Sequence, residues 1–368
     1  MSFSILGLGT ALPGTAVSQA DAVKIATRIC CRSNDQAEWL PNLYQQTGIA
    51  KRHLAFDQDV VSDILLGTSD SGSVFLPGNG QADLGPTTSQ RMRHYKERAS
   101  PLVRDAAARA LHESGVPAKD FTHLVTVSCT GFYAPGVDVQ IIRDLSLSAS
   151  VERTHVGFMG CHGALNGLRV AAAYGSAFPG ARILVCAVEL CVLHYHYVWD
   201  PKRMVANALF ADGAAAVVGV PRSAGPETAW RVITTGACVF PNSEYAMTWD
   251  VGDHGFVMSL STRVPDLIAA HLRPWLERWL GDQGMQIGDV ASWAIHPGGP
   301  RILDAVEESL GLDAVATATS REVLTECGNM SSPTILFIID RMRRCNAPRP
   351  CLALGFGPGL AVEAMLFE

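Results

Sequence analysis

Three glycine-flanked segments of the sequence each carry one side chain that suits nucleophilic catalysis. Cys161 lies in GFMGCHGA, His296 in WAIHPGGP and Asn329 in ECGNMSSP. Together these residue types supply a nucleophile, a proton acceptor or donor, and a neutral hydrogen-bond donor. Glycine in such turns lets backbone or substrate approach closely. The set predicts covalent catalysis through a thiolate, with hydrogen-bond donors for a developing negative charge.

Each of the three residues is also compatible with a purely structural role. Cys161 is one of ten cysteines, and a free cysteine often behaves as a small buried hydrophobe. A histidine is often a satisfied core residue, and an asparagine at a helix start often only caps it. The run after Cys161 has helical spacing, however, and a helix N-terminus stabilises a thiolate, as an imidazolium at His296 would. Because Cys161, His296 and Asn329 all lie in glycine-flanked turns, we expect them to form one common site.

The composition describes a well-buried globular protein. The chain has 368 residues, 48% of them hydrophobic and 17% charged, which is enough for one large or two ordinary domains. A net charge of -6 argues against nucleic acid as the main partner. No CxxC or HExxH pattern occurs, so no metal cofactor is predicted.

The start of the chain, MSFSILGLGTALPG, predicts a strand and a turn. It lacks the basic region of a signal peptide, and glycines and a proline interrupt its short apolar run. No apolar run reaches the roughly 20 residues that span a bilayer. We therefore expect a cytoplasmic protein without a membrane span, with its cysteines reduced.

Strand-like and helix-like segments alternate along the chain, which predicts α/β layers around buried sheets. The predicted strands are 4–8, 122–127, 182–188, 214–219, 231–239 and 361–367, and the predicted helices are 101–113, 164–174, 264–280, 300–310 and 333–344. Pro274 predicts a kink or a break within 264–280. Residues 69–90 predict a surface loop, because they are rich in Gly, Ser, Pro and Asp.

A junction at 221–230 divides the chain into two predicted halves, 1–222 with the cysteine and 223–368 with the histidine and asparagine. Gly160-Cys161 and Gly328-Asn329 each precede a predicted helix. This weak internal sequence similarity suggests a duplicated architecture that brings two such turns together.

Several longer motifs carry a resemblance to a known family. They are GFMGCHGALNGLRVA, ALFADGAAAVV, IHPGGPRILDAVE, CGNMSSPTILFIIDRM and GFGPGLAVEAM. The sequence resembles the type III polyketide synthases, the chalcone synthase-like family. Within that family it resembles a bacterial-type member. The resemblance implies a thiolase fold, a five-layered αβαβα structure built from two similar halves, and a homodimer.

The resemblance also implies a reaction. Cys161 would hold a starter acyl group taken from an acyl-coenzyme A, and malonyl-coenzyme A would lose carbon dioxide to give an enolate. His296 Nε2–H and Asn329 would donate hydrogen bonds to the enolate oxygen before it extends the chain by decarboxylative Claisen condensation. Cyclisation would give a resorcinol, a pyrone or a related ring. Coenzyme A thioesters are then substrates, and no other cofactor is expected.

The resemblance further implies a set of pocket residues. The predicted substrate-binding residues are Phe210, as a gatekeeper between the coenzyme A tunnel and the cavity, with Cys129, His194, Ser331 and Gly298. Cys129 and His194 stand where pocket threonines are common. Trp249 stands where a glycine often shapes the cavity, which predicts a narrower one. Met258 or Phe256 replaces a family phenylalanine, depending on the alignment gap.

Carrier recognition departs from the family pattern. Lys51 and Arg52 are present, but the earlier basic residues that plant members use toward coenzyme A phosphate are missing. An acyl carrier protein is therefore an alternative carrier for the starter.

Three other functions remain open at this stage. A ketoacyl-carrier-protein synthase III-like enzyme has the same fold and the same three residues but performs one condensation. A papain-like hydrolase uses Cys, His and Asn in the same chain order, but its Cys-Gly-Ser-Cys-Trp context is missing here. A non-catalytic relative would act as a binding subunit, although intact Cys161, His296 and Asn329 speak against it.

Overall fold

A computed structural model describes residues 3–78 and 83–368, and these residues form thirteen strands and eleven helices. The strands are β1 (Phe3–Ala11), β2 (Thr15–Ser18), β3 (Lys51–Leu54), β4 (His123–Ser128), β5 (Glu152–Gly157), β6 (Ile183–Leu190), β7 (Asp212–Pro221), β8 (Arg231–Val239), β9 (Met247–Gly252), β10 (Gly255–Leu260), β11 (Ser292–Ile295), β12 (Cys351–Gly357) and β13 (Ala361–Phe367). The helices are α1 (Gln19–Cys30), α2 (Asn34–Gln46), α3 (Gln58–Leu66), α4 (Thr88–Ser114), α5 (Val137–Asp144), α6 (Gly163–Ala177), α7 (Pro201–Leu209), α8 (Val264–Gly281), α9 (Pro300–Leu310), α10 (Ala318–Cys327) and α11 (Ser332–Arg344).

Nine of these strands form one mixed sheet in the order β5-β4-β6-β7-β1-β8-β13-β12-β11. The first five strands in this order come from the N-terminal part of the chain and the last four from the C-terminal part. The two parts join where β1 pairs with β8, Phe3 opposite Val232 and Ser4 opposite Arg231. Two antiparallel pairs, β2 with β3 and β9 with β10, lie outside this sheet.

The sheet strands are apolar on both faces, and alternate residues enter different cores. On β6, Leu184 and Cys186 pack with α4, whereas Val185 packs with α6 and α11. On β12, Ala353 packs with α6 and α11, whereas Leu354 packs with α8 and α9. The layers therefore follow the order α, β, α, β, α, with α6 and α11 in the middle. This is the predicted thiolase fold.

The middle layer places the two predicted turns side by side. Cys161 precedes α6, Asn329 precedes α11, and the two helices pack against each other in one apolar cluster. The loop between β7 and β8, residues 222–230, holds only the short 3-10 turn Arg222–Ala224. The division of the chain at this loop stays a prediction.

The six predicted strands match β1, β4, β6, β7, β8 and β13 with small differences at their ends. The predicted helix 101–113 is wrong at its start, because it is the second half of α4. Helix α4 begins at Thr88, where Thr87 and Gln90 form a reciprocal capping box, and Pro101 lies inside the helix. The buried face around Tyr95 and Val103 keeps the helix continuous across the proline.

Of the two alternatives predicted at Pro274, a kink or a break, the break is wrong. Helix α8 runs through this residue without interruption. Ile268, Leu272 and Leu276 on its buried face belong to the same apolar cluster as α9, so tertiary packing outweighs the one hydrogen bond that the proline removes.

The predicted loop 69–90 is largely confirmed. Residues 69–78 and 83–87 contain only turns, bends and irregular backbone, and α4 begins at Thr88. The remaining part of this prediction, residues 79–82, lies outside the described residues. In the part of the chain that the structure describes, no helix has both the length and the apolarity to cross a bilayer.

Candidate active site

Cys161 lies in a tight 3-10 turn, Gly160–His162, that leads directly into α6. Its side chain is buried, with 7% of the residue exposed. Gly160 has φ +76°, and a Cβ there would lie 2.2 Å from Pro358 Cδ in the loop after β12. Glycine is therefore required at this position, and the turn that carries the thiol is held against the C-terminal part of the sheet.

Two side chains from the loop before α11, those of Ser331 and Asn329, lie close enough to the Cys161 sulfur to lower the pKa of the thiol. The Asn329 amide is oriented by the backbone, because the Ser331 N–H donates to Asn329 Oδ1 at 2.8 Å. This bond occupies the carbonyl oxygen and leaves Nδ2 to face the sulfur. Ser331 has φ +55°, a strained value of the kind found at functional sites.

His296 follows the last residue of β11, and its N–H donates to Leu354 O on β12 at 2.8 Å. The next residue on β12 is Gly355, where a Cβ would lie 2.9 Å from His162 Cβ. His162 is the neighbour of Cys161 in the 3-10 turn. The strand pair thus brings His296 to the turn that carries the thiol.

Both ring nitrogens of His296 are buried without a hydrogen-bond partner among the described residues. Burial, followed by the nearby His162, lowers the pKa of His296 to about 3. The ring is therefore neutral, with one N–H and one lone pair unpaired. Because an unpaired buried polar group is costly, this arrangement indicates a position where a substrate atom completes the hydrogen bonds.

Burial also raises the pKa of the Cys161 thiol to about 11, although the adjacent Ser331 side chain lowers it. Glu189 raises it further and Asn329 lowers it. Burial thus favours the uncharged form of both the thiol and the imidazole. The expected thiolate beside an imidazolium stays a prediction.

Glu189 is a buried carboxylate near the thiol that the sequence analysis missed. Its carboxylate accepts hydrogen bonds from Cys129 N–H at 2.9 Å, Thr130 Oγ1 at 2.7 Å and Ser332 Oγ at 2.7 Å, with Ser128 Oγ at 3.3 Å. It joins the end of β4 to the start of α11. Burial raises the pKa of Glu189 to about 7. The available signal was one acid in an apolar strand, ILVCAVEL.

Asp212 is a second buried carboxylate beside Glu189, and it was also missed. It accepts hydrogen bonds from Ala55 N–H at 2.7 Å and Val192 N–H at 2.9 Å. Burial raises its pKa to about 7. The bond to Val192 fixes the 3-10 turn Cys191–His194, which carries one more cysteine toward the cavity.

A narrow cavity of about 30 Å³ lies at Cys161. Its other lining residues are Cys129, Thr130, Gly160, Cys191, Phe210, Met247, Thr248, Trp249, Met258, Ser331 and Pro358. Trp249 and Met258 face each other across the β9–β10 pair, and Trp249 Nε1–H donates to Cys129 O at 2.8 Å. Of Met258 and Phe256, the two candidates for the family's phenylalanine position, Met258 therefore lines the cavity. Phe256 is fully buried and does not line it.

Three of the predicted substrate-binding residues, Cys129, Ser331 and Phe210, line this cavity. Phe210 also lines the adjoining cavity that contains Gly298, so it lies between the two. Its backbone is tied to the site through a bridge with Asn329: the Asn329 N–H donates to Leu209 O at 3.0 Å, and the Ala211 N–H donates to Asn329 O at 2.8 Å. Gly298 does not line the thiol cavity, and the predicted gatekeeper role of Phe210 stays a prediction.

His194 requires a correction, because it does not line the cavity around Cys161. Its Nδ1 accepts from Phe256 N–H at 2.8 Å, which leaves Nε2–H to donate to Thr130 O at 2.7 Å. Its ring stacks on Phe256 with centroids 4.1 Å apart. Burial lowers its pKa to about 3. Both nitrogens are occupied by backbone, so His194 supports the cavity wall rather than contacting a substrate.

A thiolase fold that places a buried cysteine beside an asparagine, with a buried histidine after the neighbouring strand, is typical of acyl-transferring condensing enzymes. Sequence models of chalcone and stilbene synthases match the chain, the N-terminal domain over residues 2–221 and the C-terminal domain over residues 232–368. The chain belongs to the chalcone and stilbene synthase family, the type III polyketide synthases. Members of this family use acyl-coenzyme A and malonyl-coenzyme A as substrates.

Individual relatives agree with this assignment. The chain is 34% identical over 374 residues to the "Alpha-pyrone synthesis polyketide synthase-like Pks18" of Mycobacterium tuberculosis, covering 99% of this chain and 90% of that protein. It is similar to the crystal structure of PKS-I from the brown alga Ectocarpus siliculosus, with TM-score 0.91 and 32% identity, covering 100% of this chain and 98% of that one. The C-terminal type III polyketide synthase domain of Steely1 from Dictyostelium has TM-score 0.88 and 29% identity, with 100% and 99% covered.

The protein is therefore an enzyme that catalyses decarboxylative condensation, and the predicted type III polyketide synthase is confirmed over the papain-like alternative. Among the described residues, no group of three or more His, Cys, Asp or Glu side chains is arranged to hold a metal ion. All ten cysteines are free in the structure.

The Glu189→Gln variant tests the buried carboxylate through the pH dependence of stability. An acid whose folded-state pKa is raised keeps its proton to a higher pH in the folded chain than in the unfolded one. The free energy of unfolding therefore falls as the pH rises from about 4.5 to about 7 and is level above. We expect the wild type to lose up to about 3 kcal/mol relative to the variant across this window.

The measurement is urea unfolding at about pH 5 and about pH 8. Glu244→Gln, at an exposed position, is the matched control and should show no such change. An equal difference between wild type and Glu189→Gln at both pH values would contradict the assignment.

Proposed function

We propose that the enzyme loads an acyl-coenzyme A starter on Cys161, extends it at least twice with malonyl-coenzyme A, and closes the chain to an α-pyrone. One observation carries this proposal. The Asn329 and Ser331 side chains lie beside the Cys161 thiol. His296, the residue after β11, has two ring nitrogens without a hydrogen-bond partner among the described residues. The set provides a nucleophile, a base and donors for an oxyanion in a water-poor site.

Loading begins with proton transfer from the Cys161 thiol to the unpaired ring nitrogen of His296. The thiolate attacks the thioester carbonyl carbon, and the coenzyme A thiolate leaves and takes the proton from the imidazolium. The step returns a neutral imidazole, in agreement with the burial that favours this form. The starter is then a thioester of Cys161.

Extension begins when malonyl-coenzyme A loses carbon dioxide and leaves an enolate. Acylation of the sulfur frees Asn329 Nδ2, which, with a ring N–H of His296, donates to the enolate oxygen. One such donor contributes roughly 3 kcal/mol to transition-state stabilisation in a dry site. The enolate carbon attacks the acyl thioester, a C–C bond forms, and the Cys161 thiolate is expelled. The extended chain is now a coenzyme A thioester. For the next cycle the Cys161 thiolate attacks its carbonyl carbon and the coenzyme A thiolate leaves.

The shape of the cavity supports a short product. Trp249 narrows it and is fixed by its hydrogen bond to Cys129 O, whereas Met247 and Met258 are flexible enough to yield to a growing chain. A pyrone needs only a triketide, whose enol oxygen attacks its own thioester and releases Cys161. The relative named for alpha-pyrone synthesis also supports this choice.

We also propose that the protein is a homodimer. Phe132, Phe158 and Met159 are 54%, 38% and 38% exposed, and the two phenylalanine rings contact Phe256 behind the cavity wall. Exposed aromatic residues that adjoin a site support burial in an interface. Light scattering should give the mass of two chains for the wild type and of one chain for Phe132→Asp. Val315→Asp, at a residue 80% exposed elsewhere, is the control and should stay dimeric. A monomeric wild type would contradict the proposal.

The catalytic roles predict different losses for two variants. Cys161→Ala should abolish acyl loading, because no thiol is left to form the thioester. Asn329→Ala should retain loading and lower malonyl decarboxylation by about 100-fold, because one enolate donor is missing. Intact-mass spectrometry measures loading, and release of labelled carbon dioxide measures decarboxylation. Acyl-enzyme in Cys161→Ala would overturn the nucleophile, and equal losses in Asn329→Ala would point to a structural role.

Product analysis tests the overall reaction. The enzyme is incubated with malonyl-coenzyme A and a panel of short, long and aromatic acyl-coenzyme A starters, and products are identified by liquid chromatography and mass spectrometry. We expect triketide pyrones from the wild type, longer products from Trp249→Ala, and none from Cys161→Ala. Trp39→Ala, at an exposed position outside the cavity, should leave the product pattern unchanged. Products with one added unit would indicate the single-condensation synthase instead.

A further inference from the structure

The antiparallel pair β9–β10 forms one wall of the cavity at Cys161. Met247, Thr248 and Trp249 on β9 and Met258 on β10 line that cavity. Within the part of the chain that the structure describes, the two strands form a sheet of their own, apart from the nine-stranded sheet. Ladder hydrogen bonds to the central sheet therefore do not fix this wall, and its position depends on bonds from individual groups.

Two of these bonds hold the wall near its middle, on the side of the cavity. The Phe256 N–H donates to His194 Nδ1, and Trp249 Nε1–H donates to Cys129 O, both at 2.8 Å. The two bonds lie close together along the pair, because Phe256 is opposite Val251, two residues from Trp249. Two neighbouring bonds leave a strand pair free to pivot unless a further contact holds its end.

Thr88 holds that end, the turn at residues 252–255. Its hydroxyl donates to Gly252 O, and the Gly255 N–H donates to Thr88 Oγ1 at 2.9 Å. The Thr88 N–H donates to Asp253 O at 2.8 Å. The hydroxyl thus acts as donor and as acceptor at the same time, and one residue provides three bonds to the turn.

The position of Thr88 is itself fixed by α4. Thr88 is the first residue of this helix, so its N–H has no partner within the helix and is free to bond Asp253 O. The capping box of Thr87 and Gln90 holds the same first turn, and α4 packs along β1 and β7 of the central sheet. Thr88 therefore ties the end of the wall to the core of the molecule.

The turn also fits closely against its surroundings. His254 Nδ1–H donates to Gly85 O at 2.9 Å, in the loop before α4. Gly255 has φ +105°, and a Cβ there would lie 3.0 Å from the Nε of buried Arg91. Glycine is therefore required at this position, and the turn lies directly on the first turns of α4.

We propose that Thr88 is a positioning residue that fixes the β9–β10 wall and thereby limits the length of the polyketide made at Cys161. This inference rests on the proposed function, because it concerns the cavity in which the chain grows. Met258 lies about 10 Å along β10 from Gly255, so a displacement of the turn also displaces Met258 and its partner Trp249. Thr88 does not line the cavity and acts through these two side chains.

The first test is the length of the product. Thr88→Val keeps the shape of the side chain and removes both hydroxyl bonds. We expect the ratio of tetraketide to triketide products to rise about tenfold, because the wall is then free to move away from Cys161. Acyl loading, followed by intact-mass spectrometry, should proceed at the wild-type rate. Thr88→Ser keeps the hydroxyl and should give wild-type products. An unchanged product ratio in Thr88→Val would overturn the proposal.

Thr87→Val is the matched control for a general loss of stability. Thr87 Oγ1 accepts from the Gln90 N–H at the start of the same helix, so its removal lowers the midpoint temperature of unfolding. The Thr88 bonds to the turn remain, and we expect the product ratio of the wild type. Equal product shifts in Thr87→Val and Thr88→Val would count against the proposal, since a loosened helix start would explain both.

A double variant tests whether Thr88 acts through the wall. Trp249→Ala removes the largest side chain that the wall presents to the cavity. If Thr88 acts by holding this side chain, Thr88→Val combined with Trp249→Ala should give the product ratio of Trp249→Ala alone. A second, independent shift in the double variant would contradict the proposed mode of action.

Amide hydrogen exchange tests the contact without turnover. Measured by mass spectrometry on the whole chain, exchange at residues 252–256 should be about tenfold faster in Thr88→Val, with α6 unchanged. Unchanged exchange at these residues would refute the role of Thr88. Faster exchange confined to this turn, in an enzyme that makes no polyketide, would leave the contact established and sink the proposed function alone.

Discussion

The carboxylate of Glu189 accepts hydrogen bonds from both parts of the molecule, from Cys129 and Thr130 at the end of β4 and from Ser332 at the start of α11. Removing a carboxylate from water costs several kcal/mol, which only a full set of donors offsets. The groups that donate these hydrogen bonds must therefore lie around the Glu189 carboxylate. Since Ser332 follows Ser331, whose side chain lies beside the Cys161 thiol, this constraint also sets the position of Ser331.

A second buried network holds the other side of the same turn. His162 bonds to Asn166 Oδ1 at 2.7 Å, and Asn166 Nδ2 donates to Glu363 at 2.9 Å. Glu363 on β13 is paired with Arg169 on α6. The Asn166 amide uses its nitrogen on Glu363, so His162 Nδ1 must be the donor to its oxygen. Cys161 thus lies between two polar networks that each connect the N-terminal and C-terminal parts of the chain.

Much of the site could be predicted from local sequence, because Cys161, His296 and Asn329 each lie in a turn whose glycines are visible in a short window. The fold followed from alternating apolar segments and from long motifs. Glu189 and Asp212 were missed because their partners are distant in the chain; Ser332 is 143 residues from Glu189. His194 was misplaced because residue type alone does not show that backbone groups occupy both ring nitrogens. The predicted helix start at Pro101 and the predicted break at Pro274 were wrong. The buried faces of α4 and α8 stabilise each helix by more than the one hydrogen bond that the proline removes.

The backbone bridge between Phe210 and Asn329 has a consequence for how this architecture can diverge. Two backbone hydrogen bonds make Phe210 and Asn329 parts of one rigid unit. A rotation of the Phe210 side chain changes the partition between the two cavities that it lines and leaves the Asn329 backbone in place. An insertion or deletion beside Phe210 displaces both residues. The position therefore tolerates a new side chain, but not a change in the length of the chain beside it.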